Sequence, residues 1–145
     1  MDENYKTLLH IKENQLIKAF ERNNMSCMIV KDEEELHHYL KNILTDQKKV
    51  AVGGSVTLTQ LGVIDLIKKS DVHFIDRYEE GLSQEQVVER LREGLLSDIF
   101  ITSTNALTMD GSLYNVDGRG NRVSAMIFGP KDVYVIAGLN KIFIN

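Results

Sequence analysis

Short runs of β-branched and aromatic residues alternate along this chain with stretches patterned for helices, and that rhythm limits the fold more than any other feature. Runs at 50–52, 72–75, 98–102 and 133–137 are apolar and too brief to be helices. Between them Leu58, Leu61, Ile64 and Ile67, and later Val87, Val88, Leu91 and Leu95, recur at the spacing of one helix face. Strand, helix and strand in succession require a crossover connection. Crossovers give parallel pairing, and a parallel sheet must be covered on both faces. The expected architecture is a three-layer α/β domain built on a mostly parallel sheet.

Local signals fill in the rest. Tyr5, Leu9, Leu16, Ile17 and Phe20 predict a long amphipathic helix over 2–24, with asparagine as its stop. The apolar run at 27–30 predicts a strand. Asp32 with Glu35 forms an acidic capping box ahead of the stripe Leu36, Leu40, Ile43 and Leu44, and Ser83 with Gln86 caps a later helix. The helix over 57–69 carries Gly62 as a break or a close contact. One interruption breaks the rhythm: runs at 107–109 and 113–116 flank Asp110-Gly111, the signature of a hairpin whose two central residues take positive φ.

Composition narrows the function classes. Seventeen Lys and Arg against 21 Asp and Glu give a net charge of -4, so no global basic field attracts a phosphate backbone, and nucleic acid is not an expected partner. No apolar run approaches the roughly 18 residues of a membrane span, and the charged N-terminus lacks the pattern of a signal peptide. Cys27 is the single cysteine; an internal disulfide and cysteine-rich zinc modules are excluded, and a cytoplasmic location is expected.

In open parallel sheets ligands bind beyond the carboxyl ends of the strands, and three polar loops fall there. In the first, Gly53 and Gly54 let backbone approach a ligand, while Ser55 and Thr57 add hydroxyls at a helix start, a setting for phosphate or carboxylate. A tight turn capped by Ser55 is the alternative. The second, Thr102, Ser103, Thr104 and Asn105, is either a set of ligand donors or a loop satisfying its own backbone. In the third, Asn115, Asp117, Gly118, Arg119, Gly120, Asn121 and Arg122 set two guanidinium groups beside glycines, able to grip an anion bidentately. Asp117 either neutralises an arginine or stays free as a general acid or base. His10, His37, His38 and His73 have no metal-ligand spacing, and no metal site is expected. The glycine loop matches neither a dinucleotide fingerprint nor a P-loop, and no serine-hydrolase elbow occurs.

With these loops in hand, the text VAVGGSVTLTQLGVIDLI and GLLSDIFITSTNALTMDGSLYNVDGRGNRVSAMIFGPKDVYVIAGLNKI resembles the lactate-utilisation (LUD) domain family over about residues 50–142. The resemblance implies a single Rossmann-like domain over 1–145, similar in fold to sugar-phosphate isomerases and coenzyme A transferases, with ligands held at the strand ends. It implies a link to L-lactate oxidation in bacteria, alongside iron-sulfur partner proteins, and it leaves the cofactor unknown. It assigns Gly53, Gly54, Ser55 and Thr57 to the glycine loop. To a second signature it assigns Thr102 to Asn105, Asp110, Gly111, Asn115, Asp117, Gly118, Arg119, Asn121 and Arg122. Many relatives continue past Gly138-Leu139-Asn140-Lys141 into a further helix and a cysteine-containing tail. The sequence here ends at Asn145, so no iron-sulfur role carries over from such a tail, and apolar surface left for a partner subunit is an expectation, with homo-oligomerisation left open.

Two functions fit. One is an enzyme acting on a small anionic metabolite, with the glycine loop holding the anion, Arg119 and Arg122 orienting it, and Asp117 or Asp110 moving a proton. The other is a non-catalytic subunit or ligand sensor of a lactate-oxidation complex using the same pocket.

Overall fold

The computed structural model describes residues 3–143. In chain order its elements begin with α1 (Glu3–Arg22), α2 (Glu33–Ile43), β1 (Lys49–Val52), α3 (Val56–Gln60), α4 (Val63–Lys68), β2 (His73–Phe74) and α5 (Gln84–Gly94). They continue with β3 (Ile99–Thr102), β4 (Ala106–Thr108), β5 (Leu113–Tyr114), α6 (Asn121–Ile127), β6 (Asp132–Val135), a 3-10 turn (Leu139–Lys141) and β7 (Ile142–Phe143).

Four of the expected strands form one parallel sheet in the order β2-β1-β3-β6. Because side chains alternate across a strand, each of its central strands feeds two cores. Val50, Val52, Ile99 and Ile101 pack beneath α2, α3 and α4, with Leu40, Leu58, Val63 and Ile67. Ala51 and Phe100 face the other way, onto Ala125 and Met126 of α6 and Leu95 just past α5. Helices thus cover both faces, and the molecule has the three layers of a Rossmann-like α/β fold. Among the described residues no helix is long and apolar enough to cross a membrane.

A second sheet, β5-β4-β7, stands beside the first. Leu107 of this sheet packs with Leu16 and Phe20 of α1, and Asn23 Nδ2 donates to the carbonyls of Asp110 and Gly111 at the hairpin tip. The hairpin sits where the sequence placed it, with antiparallel pairs Ala106↔Tyr114 and Leu107↔Leu113. Its turn differs: Gly111 has φ +84°, whereas Asp110 is not in the left-handed region. The Gly111 amide closes onto the Thr108 carbonyl at 3.0 Å, so the loop is a four-residue turn ending in a left-handed glycine rather than a two-residue turn.

Other expectations are corrected. Residues 27–30 form no strand, because no sheet edge lies beside them; Cys27 packs against the α1–hairpin core and Val30 against the main one. The helix over 57–69 is two helices, since Gly62 adopts φ +64° and starts α4, a conformation that costs a non-glycine residue about 1–2 kcal/mol. The last strand ends at Val135, and β7, which pairs in parallel with β4, was not anticipated. The Ser83–Gln86 capping box forms in full, whereas at α2 only half of the expected box is present: Asp32 accepts from the Glu35 amide, but Glu35 accepts from the amide of Lys31 rather than that of Asp32.

Candidate functional site

Parallel strands place their carboxyl ends on one edge, so four loops distant in sequence meet there: Gly53 to Ser55 after β1, Arg77 after β2, Ser103 to Asn105 after β3, and Ile136 to Lys141 after β6. The ladder runs into these loops, with the Gly53 amide donating to Ile101 O at 3.0 Å and the Ile136 amide to Thr102 O at 2.8 Å.

Gly53 is buried, and its lack of a side chain is a requirement of packing. A Cβ there would lie 2.3 Å from Thr102 Oγ1 and 3.3 Å from Arg122 Cδ. The glycine loop, the Thr102 segment and Arg122 are therefore in contact across nearly 70 residues of sequence. Gly54 is exposed. Ser55 caps α3 by its backbone position alone and makes no side-chain cap bond, and Thr57 lies partly exposed in the first turn. With five residues, α3 has too short a dipole to hold an anion by itself.

Arg122 is 8% exposed and forms the centre of a hydrogen-bond network. Its Nε donates to Asp117 Oδ1 at 2.9 Å, Nη1 to Ser103 O at 3.3 Å, and Nη2 to Asn105 Oδ1 at 2.5 Å and Val116 O at 3.1 Å. Four of the five guanidinium donors are thus committed within the chain. Asp117 is equally engaged: its second oxygen accepts from the Val123 amide at 2.8 Å, fixing the start of α6. Asn105 Oδ1 also accepts from the Val116 amide at 2.9 Å. Buried Thr104 ties the hairpin to β3, its hydroxyl lying 3.0 Å from Ala106 O, 2.9 Å from Tyr114 O and 3.1 Å from Asn115 Oδ1. The buried hydroxyls and the Arg122–Asp117 pair brace one another, as such polar density requires.

Two cations that the sequence reading passed over complete the edge. A Cβ on Gly54 would lie 3.3 Å from Arg77 Nη1, so this guanidinium lies over the glycine loop. Arg77 also sits 5.5 Å from the Tyr78 ring and makes no ion pair among the described residues. Lys141 is partly buried, and its Nζ donates to Ser103 Oγ at 2.8 Å and Thr104 O at 2.9 Å. Burial first, and the nearby Arg122 charge second, push its ammonium below the usual lysine range. Arg77 lies outside the text that carries the resemblance, and Lys141 lies within it without an assigned role. The one signal available was position, since each lies a few residues past the carboxyl end of a strand.

The remaining predicted residues lie around this centre. Arg119 is exposed and donates to Gln84 Oε1 at 3.2 Å, toward the start of α5. Gly118 is exposed, Gly120 starts α6 with φ +72°, and Asn121 is its first residue. Asp110 is engaged at the hairpin tip by the Thr108 hydroxyl. Cys27 packs in the α1–hairpin core, and burial first, then the nearby Glu21 charge, pushes its thiol above the usual cysteine range. An open groove of about 680 Å³ between α2 and α4, lined by His37, Lys41, Asp65 and Lys69 among others, shares no residue with the strand-end cluster.

The family model described as LUD domain matches residues 13–145. No curated protein and no solved structure matches the chain.

Proposed function

The chain belongs to the LUD domain family, which links it to lactate utilisation, and from that premise we propose that it binds a small organic-acid anion at the carboxyl edge of its sheet. The observation that carries this reading is a charge imbalance. In a chain of net charge -4, Arg77 and Lys141 stand over the adjacent strands β1 and β3, and among the described residues no carboxylate pairs with either. Neighbouring strands run about 4.8 Å apart, a separation that lets one small carboxylate or phosphate address both. The exposed Gly54 and the side-chain amide of Asn105 add neutral surface and donors. Arg122 and Asp117 serve this site by holding Ser103, Asn105 and the α6 start in place.

A specific observation favours binding without proton transfer, as in a subunit or sensor of an oxidation complex. Both oxygens of Asp117 are already occupied by donors of the chain, so no carboxylate there is poised as a general base. Thermal unfolding with and without L-lactate or inorganic phosphate tests the reading. At 100 times Kd the ligand should stabilise the protein by about 2.7 kcal/mol, and the double variant Arg77→Ala, Lys141→Gln should lose most of that gain. A shift retained in full by the double variant contradicts the site.

A further inference from the structure

We propose that the Lys141 amine forms an imine with the carbonyl carbon of a 2-oxo acid bound at the strand-end site. The inference rests on the anion-binding reading above and adds to it a substrate class and a covalent step.

Four features of the side chain carry it. Its Nζ is fixed by two contacts, Ser103 Oγ and Thr104 O, which leaves the third ammonium position directed elsewhere. It has no carboxylate partner among the described residues, whereas Lys68 and Lys131 each pair with an aspartate. It is only partly buried, so a small molecule can reach it. The charge beside it is positive: Arg122 bonds the carbonyl of Ser103, and the Asp117 carboxylate is spent on Arg122 and the Val123 amide. A lysine partly removed from water, with a guanidinium beside it and no carboxylate partner among the described residues, favours the free base more than a solvated lysine does, the usual setting for a nucleophilic amine. The depressed ammonium agrees with that geometry. Arg77 lies over Gly54 at the end of the neighbouring strand, and in this proposal it takes the carboxylate of the same molecule.

The step balances without any oxidant. The ammonium first releases one proton to solvent. The amine lone pair then forms the C–N bond while the carbonyl π pair moves to oxygen, and one N–H proton follows it, giving a carbinolamine. Loss of that hydroxyl with the second N–H proton releases water and leaves the C=N bond. Ser103 Oγ, 2.8 Å from the nitrogen, lies where it can relay these protons.

The test is reductive trapping of the full chain with glyoxylate and cyanoborohydride near neutral pH, followed by peptide mapping. Lys141 should acquire the carboxymethyl group several-fold faster than the other ten lysines of the chain, and Lys141→Arg should lose that adduct while the others label as before. Labelling that follows exposure alone overturns the inference, and the unmutated protein suffices to see it should the variant fold poorly. L-Lactate, an acid with no carbonyl to trap, separates the two readings. If Lys141 dominates and lactate does not protect it, the amine chemistry stands and the shared anion site fails. If lactate stabilises the protein while Lys141 labels no faster than its peers, the anion site stands and the imine fails.

Discussion

At the scale of single residues, the contact between Gly53 and Thr102 decides how closely two strands' loops can approach. A methyl group at position 53 would overlap Thr102 Oγ1, which is fully buried and donates to Ser103 O at 3.1 Å. Gly53→Ala should therefore destabilise the protein by about 1–3 kcal/mol in denaturant unfolding, the usual cost of overpacking. Adding Thr102→Ala should restore part of the loss, because it removes the oxygen that the methyl strikes. Equal or additive losses in the double variant would show that strain elsewhere, not this contact, sets the cost. Much of this scale was legible in advance: two glycines beside a buried strand pointed to close approach. What the glycine is close to was not legible, since Thr102 and Arg122 reach it through tertiary structure alone. Arg122 illustrates the point. In sequence it reads as a free guanidinium near glycines; in the fold its donors are spent on Asp117, Ser103, Asn105 and Val116.

At the scale of elements, the strand–helix alternation carried the main sheet and its two helical layers, because period and length are local properties of a chain. Failures came where an element depends on a partner. The run at 27–30 has strand-like residues and no edge to pair with, while β7 has two residues and exists because β4 is there to receive it. Asp98, just before β3, fastens three strands of the sheet at once. Its carboxylate accepts from the Lys131 ammonium at 2.7 Å, beside β6, and from the Lys49 amide of β1 at 2.9 Å. The Lys131 hydrogen bond first, then that of the Lys49 amide, hold Asp98 below the usual carboxylate range. The sign follows from that direction. A depressed folded value adds stability that is fully present above the unfolded value near pH 4 and is lost as pH falls through the lower folded one. Asp98→Asn should thus unfold at lower denaturant than the native protein at pH 7, and the two curves should converge in acid. Curves that stay parallel down to the acid limit would remove Asp98 from the acid sensitivity, and since Asp98 is only partly buried and its partner Lys131 is exposed the effect is a modest one.

At the scale of the whole molecule, an acidic chain gathers positive charge at one place. Arg77 and Lys141, which have no ion pair among the described residues, and Arg122 of α6, paired with Asp117, are separated by up to 64 positions and brought together because parallel strands share a carboxyl edge. That edge was predictable from topology, and the glycine, Thr102 and Asn115 loops were found by it. Arg77 and Lys141 were not, because each is a single cation with no patterned neighbours, and because the sequence offered more conspicuous arginines nearby. The α2–α4 groove supplies an internal comparison, since it also carries lysines but places Asp65 among them. Whether a small organic anion sits across the ends of β1 and β3 is answered by titrating the isotope-labelled protein with L-lactate and following its amide resonances. Saturable shifts are expected, concentrated at Gly53, Gly54, Ser103, Thr104 and Asn105 and around Arg77 and Lys141. Shifts confined to the groove beside His37 and Lys41, or none at saturating ligand, would contradict it.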